Sequence, residues 1–424
     1  MKQLSKKIWI WNHYATSQFQ RKMGRHYWFA KNLREQGYEP TIFAANTFHG
    51  GRQESIDTGN KKYLEKISGE IPFVFVKTKE AVGNGINRIL NMINFYWNLF
   101  SVSKEQKKKN GQPELILASS VHPLTMVAGI QIAKKMGIPC ICEVRDLWPE
   151  AIFQFTSVKE ESLLGKILVK GEHWIYKNAD ALIFTKEGDT DYIKEKKWDL
   201  AQGGDIDLKK AYYINNGLDL ENFNKGIDEH KIHDVELENE KFTVTYVGSL
   251  RPVNDVENIV QAAKLLKNEK DIQFLIYGDG SEEEKLKEMI EKEKLDQVFL
   301  KGYVEKKYMP YILNHSSVNL LNYSRTKYNW SRGNSSNKLF EYMASGKPII
   351  SNVKMGYSMI KKYNCGLELE NGDANELAKA ILEIKDMEAK EYQKIGRNAQ
   401  AAAKDFDFKK LTAKLVYIIE SLRD

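Results

Sequence analysis

The sequence predicts an α/β protein of two doubly wound, Rossmann-like domains facing a cleft. Three observations carry that reading. Apolar, often β-branched runs of strand length alternate with stretches of helical spacing, the pattern of parallel sheets covered on both faces. The alternation stops at a polar, charged stretch, residues 222–241, and then begins again. A chain of 424 residues exceeds one ordinary core and suits two domains. The expected boundaries are residues 1–221, residues 222–404, and a terminal helix over 405–424 that packs back on the first domain.

In the first half, strands are expected at residues 8–11, 41–44, 73–76, 115–118, 140–144, 181–185 and 212–214. Helical spacing lies between most of them, as in Tyr27, Ala30, Leu33 and Arg34 ahead of a Gly37 stop. Strand ends are where open α/β sheets bind ligands. The polar candidates there are His13, His122 in "SSVHPL", and Arg145 with Asp146 after the 140–144 strand. A structural ion pair between Arg145 and Asp146 is the competing reading.

In the second half, strands are expected at 243–247, 273–277, 298–300, 318–321 and 349–351. Three of them run straight into glycine turns, at Gly248, Gly278 and Gly302. Glycine lets backbone approach a ligand closely, and amides at the next helix start attract anions. Ordinary tight turns explain any one of these glycines; three on one sheet edge favour a nucleotide-sized ligand. Asn254 with Glu257 reads as a capping box opening the helix after the first turn.

The segment "SSNKLFEYMASGKPII" is the most informative. Small polar residues, Gly333 to Asn337, precede a helix over 338–345 that Gly346 ends and Pro348 cannot continue. Leu339, Met343, Phe340 and Ala344 form its buried side, while Lys338, Glu341 and Ser345 share another face. A helix start with exposed amides and a lysine suits a diphosphate, and a carboxylate one turn deeper can accept from vicinal hydroxyls. The competing reading is a surface Lys–Glu pair worth a few tenths of a kcal/mol.

Composition narrows the classes. No apolar run reaches the roughly 18 residues a membrane helix needs, and the run at residues 8–11 is too short for a signal peptide. Three cysteines make no disulfide framework and suit a reducing cytoplasm. The net charge of +7 comes from dispersed lysines, and no nucleic-acid module is visible, so no nucleic-acid partner is expected. Asp189-Thr190-Asp191 and Asp205-Ile206-Asp207 fit a metal-binding triplet formally, but such triplets arise by chance where 29% of residues are charged. Neither a catalytic metal nor a cofactor is expected. Over residues 85–110, Ile86, Ile89, Leu90, Ile93, Trp97 and Phe100 keep helical spacing with Lys104 and Lys107–Lys109 behind, which suits a helix lying on anionic lipid.

With these motifs in order, the chain resembles the retaining glycosyltransferases of family four, which have the GT-B fold. The helix segment resembles their donor-binding segment, "INNGLDLENF" their interdomain signature, and "YVGSL", "IYGDG" and "KGYV" their successive second-domain turns. "ICEVRDLWPE" is similar to a subgroup building bacterial surface polysaccharides, including N-acetylfucosamine transferases of O-antigen synthesis. The resemblance implies a donor nucleotide sugar, a UDP-sugar with an N-acetylated hexosamine as one candidate, held by the second domain. Glu341 would bind the ribose, Tyr303 and Val304 would face the base, and Gly24 would lie near the donor phosphates. The first glutamate of the family's pair is absent, its place taken by Gly333, and Ser249 stands where many members carry a basic residue. Lys338, Arg332 and Arg251 are then the candidates for diphosphate neutralisation, with Gly248, Gly278, Ser335, Ser336 and Asn337 as further donor contacts. Arg145, Asp146 and His122 are the catalytic candidates of the first domain.

The resemblance further implies a lipid-linked saccharide acceptor in capsule or O-antigen synthesis at the inner face of the cell membrane. It also implies reaction on one sugar face, with the leaving phosphate oxygen helping to deprotonate the acceptor. Two alternatives stay open: a nucleotide-sugar 2-epimerase of similar architecture, and a non-catalytic nucleotide-sugar binding protein.

Overall fold

The computed structural model describes residues 6–48, 55–80, 85–326 and 329–423, the side chain of Phe155 excepted. The chain divides into two compact units, one of residues 1–215 and 411–424, the other of residues 216–410. Both are α/β with predominantly parallel sheets, as the alternation predicts.

The first unit holds strands β1 (Lys7–Trp11), β2 (Glu39–Ala45), β3 (Tyr63–Ser68), β4 (Ile71–Val76), β5 (Leu115–Ser119), β6 (Cys140–Val144), β7 (Ala181–Phe184) and β8 (Ala211–Tyr213). Their order is β3-β4-β2-β1-β5-β6-β7-β8. Only β3 runs antiparallel, paired to β4 from Tyr63↔Val76 to Ser68↔Ile71. It escapes the sequence reading because Glu65 and Lys66 face solvent and interrupt its apolar character. Trp9, Trp11 and Phe43 form a buried aromatic cluster over the sheet centre. The helix Phe408–Ser421 ends the chain, and its residues from 411 onward belong to this unit. Asn32 Nδ2 donates to Thr412 Oγ1 at 3.3 Å, and Arg423 Nη2 reaches both Glu114 oxygens at 2.7 Å.

The helix Ile86–Asn110 buries a stripe that was not singled out in the sequence. Met92, Phe95, Leu99 and Val102 turn inward, leaving Ile86, Ile89 and Trp97 in solvent. The helix therefore carries two apolar stripes, and the more exposed of them belongs to the set singled out above.

The second unit holds β9 (Phe242–Val247), β10 (Ile272–Tyr277), β11 (Val298–Gly302), β12 (Val318–Leu321), β13 (Ile349–Ser351) and β14 (Gly366–Glu368), all parallel, in the order β11-β10-β9-β12-β13-β14. The three-residue β14 is too short to show a period. Residues 222–241, expected as a connection, belong to this unit instead. Asp219 caps the helix Leu220–Glu229, which buries Phe223 and packs on the helix Met309–Asn314. Lys301 then ties the following turn down through Asp234 and Glu236, at 2.7 and 2.6 Å.

The glycine turns have a reason inside the protein. A Cβ on Gly278, whose φ is +140°, would stand 1.8 Å from the Gly248 carbonyl oxygen; one on Gly280 would stand 2.2 Å from that of Leu250. The two loops lie against each other, joined by Leu250 N–H to Asp279 O at 2.8 Å. Gly278→Ala is accordingly expected to cost about 3 kcal/mol in urea unfolding. Gly171→Ala, on an open helical face, is expected to be neutral or stabilising by about 0.5–1 kcal/mol.

Candidate active site

Strand order reverses between β9 and β12, which places a crevice at the carboxyl ends of those strands. Asn254, Asn322 and Lys338 meet there. Lys338 Nζ lies 3.3 Å from Asn254 Oδ1 and 3.4 Å from the Asn322 carbonyl oxygen. It stands over the rings of Tyr323 and Tyr246, 4.1 and 4.9 Å from their centroids. Among the described residues no carboxylate pairs with it, so burial pushes its pKa down to about 7. A cation held without a counter-anion beside a strand-end crevice is prepared for a bound one.

The helix Asn337–Ser345 starts beside it. Its N-cap, Ser336, gives no side-chain cap to the first turn. The Ser336 hydroxyl instead accepts from Tyr323 Oη, and Asn334 Oδ1 takes the Ser336 N–H at 2.7 Å. First-turn amides without a side-chain cap, next to an uncompensated ammonium, make an anion site. Tyr342 locks the helix to β9, since Val247 N–H donates to its hydroxyl at 3.0 Å. One turn in, the Glu341 carboxylate pairs with Lys306 Nζ at 2.8 Å. Lys306 follows the loop of Tyr303 and Val304, the former exposed and the latter packed against a buried cluster that includes Tyr277 and Met309. Lys306 was not legible in the sequence, because nothing in "KGYVEKKY" distinguishes it from Lys307.

Several expectations change here. Ser345 does not share an open face with Lys338 and Glu341; it is buried and accepts from Asn319 Nδ2 at 3.0 Å. The capping box does not form. Asn254 turns back to Ser249, 2.8 Å from its carbonyl oxygen, while Asp255 is the N-cap at φ +46° and Glu257 pairs with Lys285. Arg251 is exposed, whereas Arg332 is buried in the loop before the helix. Gly248 and Gly278 line the β9 and β10 ends, with Ser335 and Asn337 flanking Ser336.

The first unit places its candidates at the ends of β1, β5 and β6, around its own strand reversal between β2-β1 and β5. His13 Nδ1 and His122 Nε2 are 2.5 Å apart, both rings buried, with His13 stacked on Phe95. Burial, His13 and Arg88 hold the His122 pKa well below the usual imidazole value. Arg145 and Asp146 form no ion pair. Arg145 is anchored by its backbone, its N–H donating to Ser120 Oγ at 2.9 Å and its carbonyl accepting from Thr185 at 3.0 Å. Its guanidinium meets no carboxylate among the described residues, and Asp146 is exposed.

Beneath these ends lies a buried charge network that the sequence did not reveal. Glu143, inside β6, accepts from Arg25 Nε at 2.7 Å, Ser119 Oγ at 2.7 Å and pairs with His26 Nε2 at 3.0 Å. Arg25 also donates to the carbonyls of Ile214 and Asn215, at 2.8 and 2.5 Å. Despite its burial, these partners keep the Glu143 carboxyl well below its ordinary pKa, while burial depresses His26. Gly24 opens the Arg25–Glu35 helix at φ +119°, and the Gln18 amide oxygen accepts from the N–H groups of His26 and Tyr27 at 3.1 and 3.0 Å. A Cβ on Gly24 would lie 2.9 Å from Gln18, so this glycine also serves its own helix.

His26 and His122 titrate below their usual value when folded, so the unfolded chain binds more protons near pH 6. Stability contributed by these groups is present above about pH 6.5 and falls as pH drops below it. Urea unfolding at pH values either side of that point is expected to show the lower free energy on the acid side, and the acid loss is expected to shrink in His122→Asn.

The two aspartate triplets are engaged elsewhere: Asp205 pairs with His173 and Lys177, each at 2.8 Å, Asp207 accepts from Lys209 N–H, and Asp191 pairs with Lys194. Among the described residues no group of three or more His, Cys, Asp or Glu side chains is placed to hold a metal ion, and no helix is long and apolar enough to cross a membrane.

Residues 228–402 match the family model "Glycosyl transferases group 1". Over 223 residues the chain is 30% identical to a poly(ribitol-phosphate) alpha-N-acetylglucosaminyltransferase of Staphylococcus aureus, covering 51% of this chain and 39% of that one. It is 23% identical over 184 residues to WbjE of Pseudomonas aeruginosa, described as a glycosyltransferase, covering 43% of each. The chain thus spans about two fifths of the length of these curated relatives. Among solved structures, a sucrose-phosphate synthase from Thermosynechococcus elongatus superposes with a TM-score of 0.70 at 17% identity, covering 98% of each chain. Anabaena HepE in complex with UDP and glucose gives 0.63 at 14% identity, over 98% and 99%. The fold is therefore GT-B.

Proposed function

We propose that this chain, whose second unit carries the group 1 glycosyl transferase match, is a retaining glycosyltransferase that moves a sugar from a UDP-sugar to a lipid-linked saccharide. The observation that carries the proposal is Lys338: an ammonium without a counter-anion, beside helix amides without a side-chain cap, at the strand reversal of the second sheet. A diphosphate supplies the missing charge. Glu341, one turn deeper, would exchange Lys306 for the ribose hydroxyls, and the Tyr303–Val304 loop would meet the base. Residues 222–404 form the donor side and residues 1–221 the acceptor side. There, Arg145, Asp146 and His122 are the groups set to contact the transferred sugar. Positioning and electrostatics supply the catalysis: cationic Lys338 and the helix dipole stabilise charge growing on the departing diphosphate. No dedicated carboxylate nucleophile and no metal is required.

One matched relative is named as a poly(ribitol-phosphate) alpha-N-acetylglucosaminyltransferase and the other as a glycosyltransferase, which supports sugar transfer; capsule or O-antigen assembly is the role we assign. A lipid-linked acceptor sits at a membrane, and the exposed stripe of Ile86, Ile89 and Trp97 supports peripheral docking on the inner leaflet. Incubation with labelled UDP-hexoses and UDP-N-acetylhexosamines, together with lipid-linked saccharides extracted from membranes, tests the proposal. Label is expected in the lipid phase with the donor's anomeric configuration kept. Release of a free isomerised sugar would select an epimerase, and binding of UDP with no turnover would select a non-catalytic binder.

A further inference from the structure

We infer that a second helix, Leu163–Asn178, docks on the same anionic membrane surface as Ile86–Asn110, so that the first unit lies on lipid along an edge rather than by one helix. This rests on the membrane reading above and extends it to a segment that no motif marked. The helix is amphipathic twice over. One side faces the interior with Ile175, Tyr176 and the buried Glu172, whose oxygens accept from the hydroxyls of Tyr176 and Tyr192 at 2.6 and 2.8 Å. The opposite side presents Leu163, Leu164, Ile167 and Trp174 at exposures of 79, 52, 57 and 38%. Their i, i+4 and i+11 spacing makes one continuous stripe. A helix apolar on both sides needs a second apolar neighbour, and among the described residues of the first unit none covers this stripe.

Charge identifies the neighbour. Lys166 and Lys170 run along one flank of the stripe, both exposed, while the helix's one carboxylate, Glu172, is buried. The solvent side of this helix therefore carries only positive charge. A second copy of the chain would oppose lysine to lysine, whereas anionic head groups complement the flank as acyl chains take the stripe.

Topology puts the two helices in register for this task. Ile86–Asn110 leads from β4 to β5, and Leu163–Asn178 leads into β7 after β6. Both connections join parallel strands and advance the same way across the sheet; with the right-handed crossover such connections take, both helices lie on one face with their first turns at its carboxyl edge. The helix Pro123–Met136 packs between them, against each. Ile86 and Ile89 open one helix and Leu163, Leu164 and Ile167 open the other, on the edge where His122 and Arg145 also lie. A lipid-linked acceptor would then reach the sugar-contacting groups without leaving its leaflet.

The test is co-sedimentation of the full chain with phosphatidylglycerol–phosphatidylcholine vesicles, using Leu163→Glu/Ile167→Glu and, separately, Ile86→Glu/Ile89→Glu. All four positions are exposed, and an unchanged far-UV circular dichroism spectrum and melting temperature report that the first unit, which carries the substitutions, is folded. Each double variant is expected to weaken vesicle binding at least about tenfold, with no binding to pure phosphatidylcholine. If Leu163→Glu/Ile167→Glu binds as the parent does while Ile86→Glu/Ile89→Glu does not, the second helix is refuted and the membrane reading stands. If the parent ignores anionic vesicles, both are refuted. A concentration-dependent dimer that Leu163→Glu/Ile167→Glu abolishes would replace lipid by a second copy as the occupant.

Discussion

Lys338→Ala is expected to lower kcat/KM by about two orders of magnitude, near 3 kcal/mol of transition-state stabilisation, while leaving the fold intact. The ammonium has neutral partners within the protein, namely an asparagine oxygen and a carbonyl, with two tyrosine rings around it. Removing it breaks no ion pair, so stability is expected to hold or rise. The pKa of about 7 sharpens the expectation. A lysine depressed below its unfolded value binds fewer protons when folded, so its contribution lowers stability near pH 7 and the loss is relieved as pH rises towards about 10.4. A bound diphosphate reverses this by restoring the proton. Nucleoside diphosphate binding above pH 7 is thus expected to take up a proton, visible as a dependence of calorimetric heat on buffer ionisation enthalpy. Affinity is expected to fall with rising pH in the parent and to be flat in Lys338→Ala. Flat affinity in both would remove Lys338 from the diphosphate.

Glu143→Ala is expected to be the most damaging single substitution for stability, at about 3–5 kcal/mol in urea unfolding. It strands the buried guanidinium of Arg25, which keeps the carbonyls of Ile214 and Asn215 as acceptors and loses its Glu143 counter-charge. Those carbonyls belong to Ile214 and Asn215, the last residues of the first unit before the chain enters the second. A paired replacement, Arg25→Met with Glu143→Leu, removes both charges and is expected to recover much of the loss. Losses that simply add in the double variant would show that the pair is not coupled. Because partners hold the Glu143 carboxylate below its ordinary pKa, its contribution is present above about pH 4.5 and disappears as pH falls through the folded value.

The contrast between these residues explains what a sequence exposes. Lys338 and Glu341 were legible because the polar turn before the helix, the helix period and the Gly346-Lys347-Pro348 stop fix their place locally, and "SSNKLFEYMASGKPII" resembles a donor-binding segment. The buried strands β6, β12 and β13 were legible as largely apolar runs with the same bounds. Glu143 was not legible as part of a network, since its partners Arg25 and Ser119 come from other elements and only the sheet order brings them together. The strand β3 and the helix over 220–229 failed for a related reason. Their polar residues are ordinary for one-sided burial, but they blur the periods that a reader counts. The glycines were legible as turns, yet the sequence cannot say that Gly278 makes room for Gly248 rather than for a phosphate. The apolar side of Leu163–Asn178 was hidden because a sequence shows that Leu163 and Ile167 are apolar, not that they face outward.

The central claim is that a nucleoside diphosphate binds at the Lys338–Glu341 helix. Melting temperature measured against a panel of nucleoside diphosphates, for the parent and Glu341→Ala, tests it most directly. A ligand that binds only the folded state raises stability by RT ln(1 + [L]/Kd). The account predicts a rise with UDP in the parent, unaffected by chelator and lost in Glu341→Ala. A folded parent that responds to no nucleoside diphosphate, or a variant that responds as strongly as the parent, would contradict it.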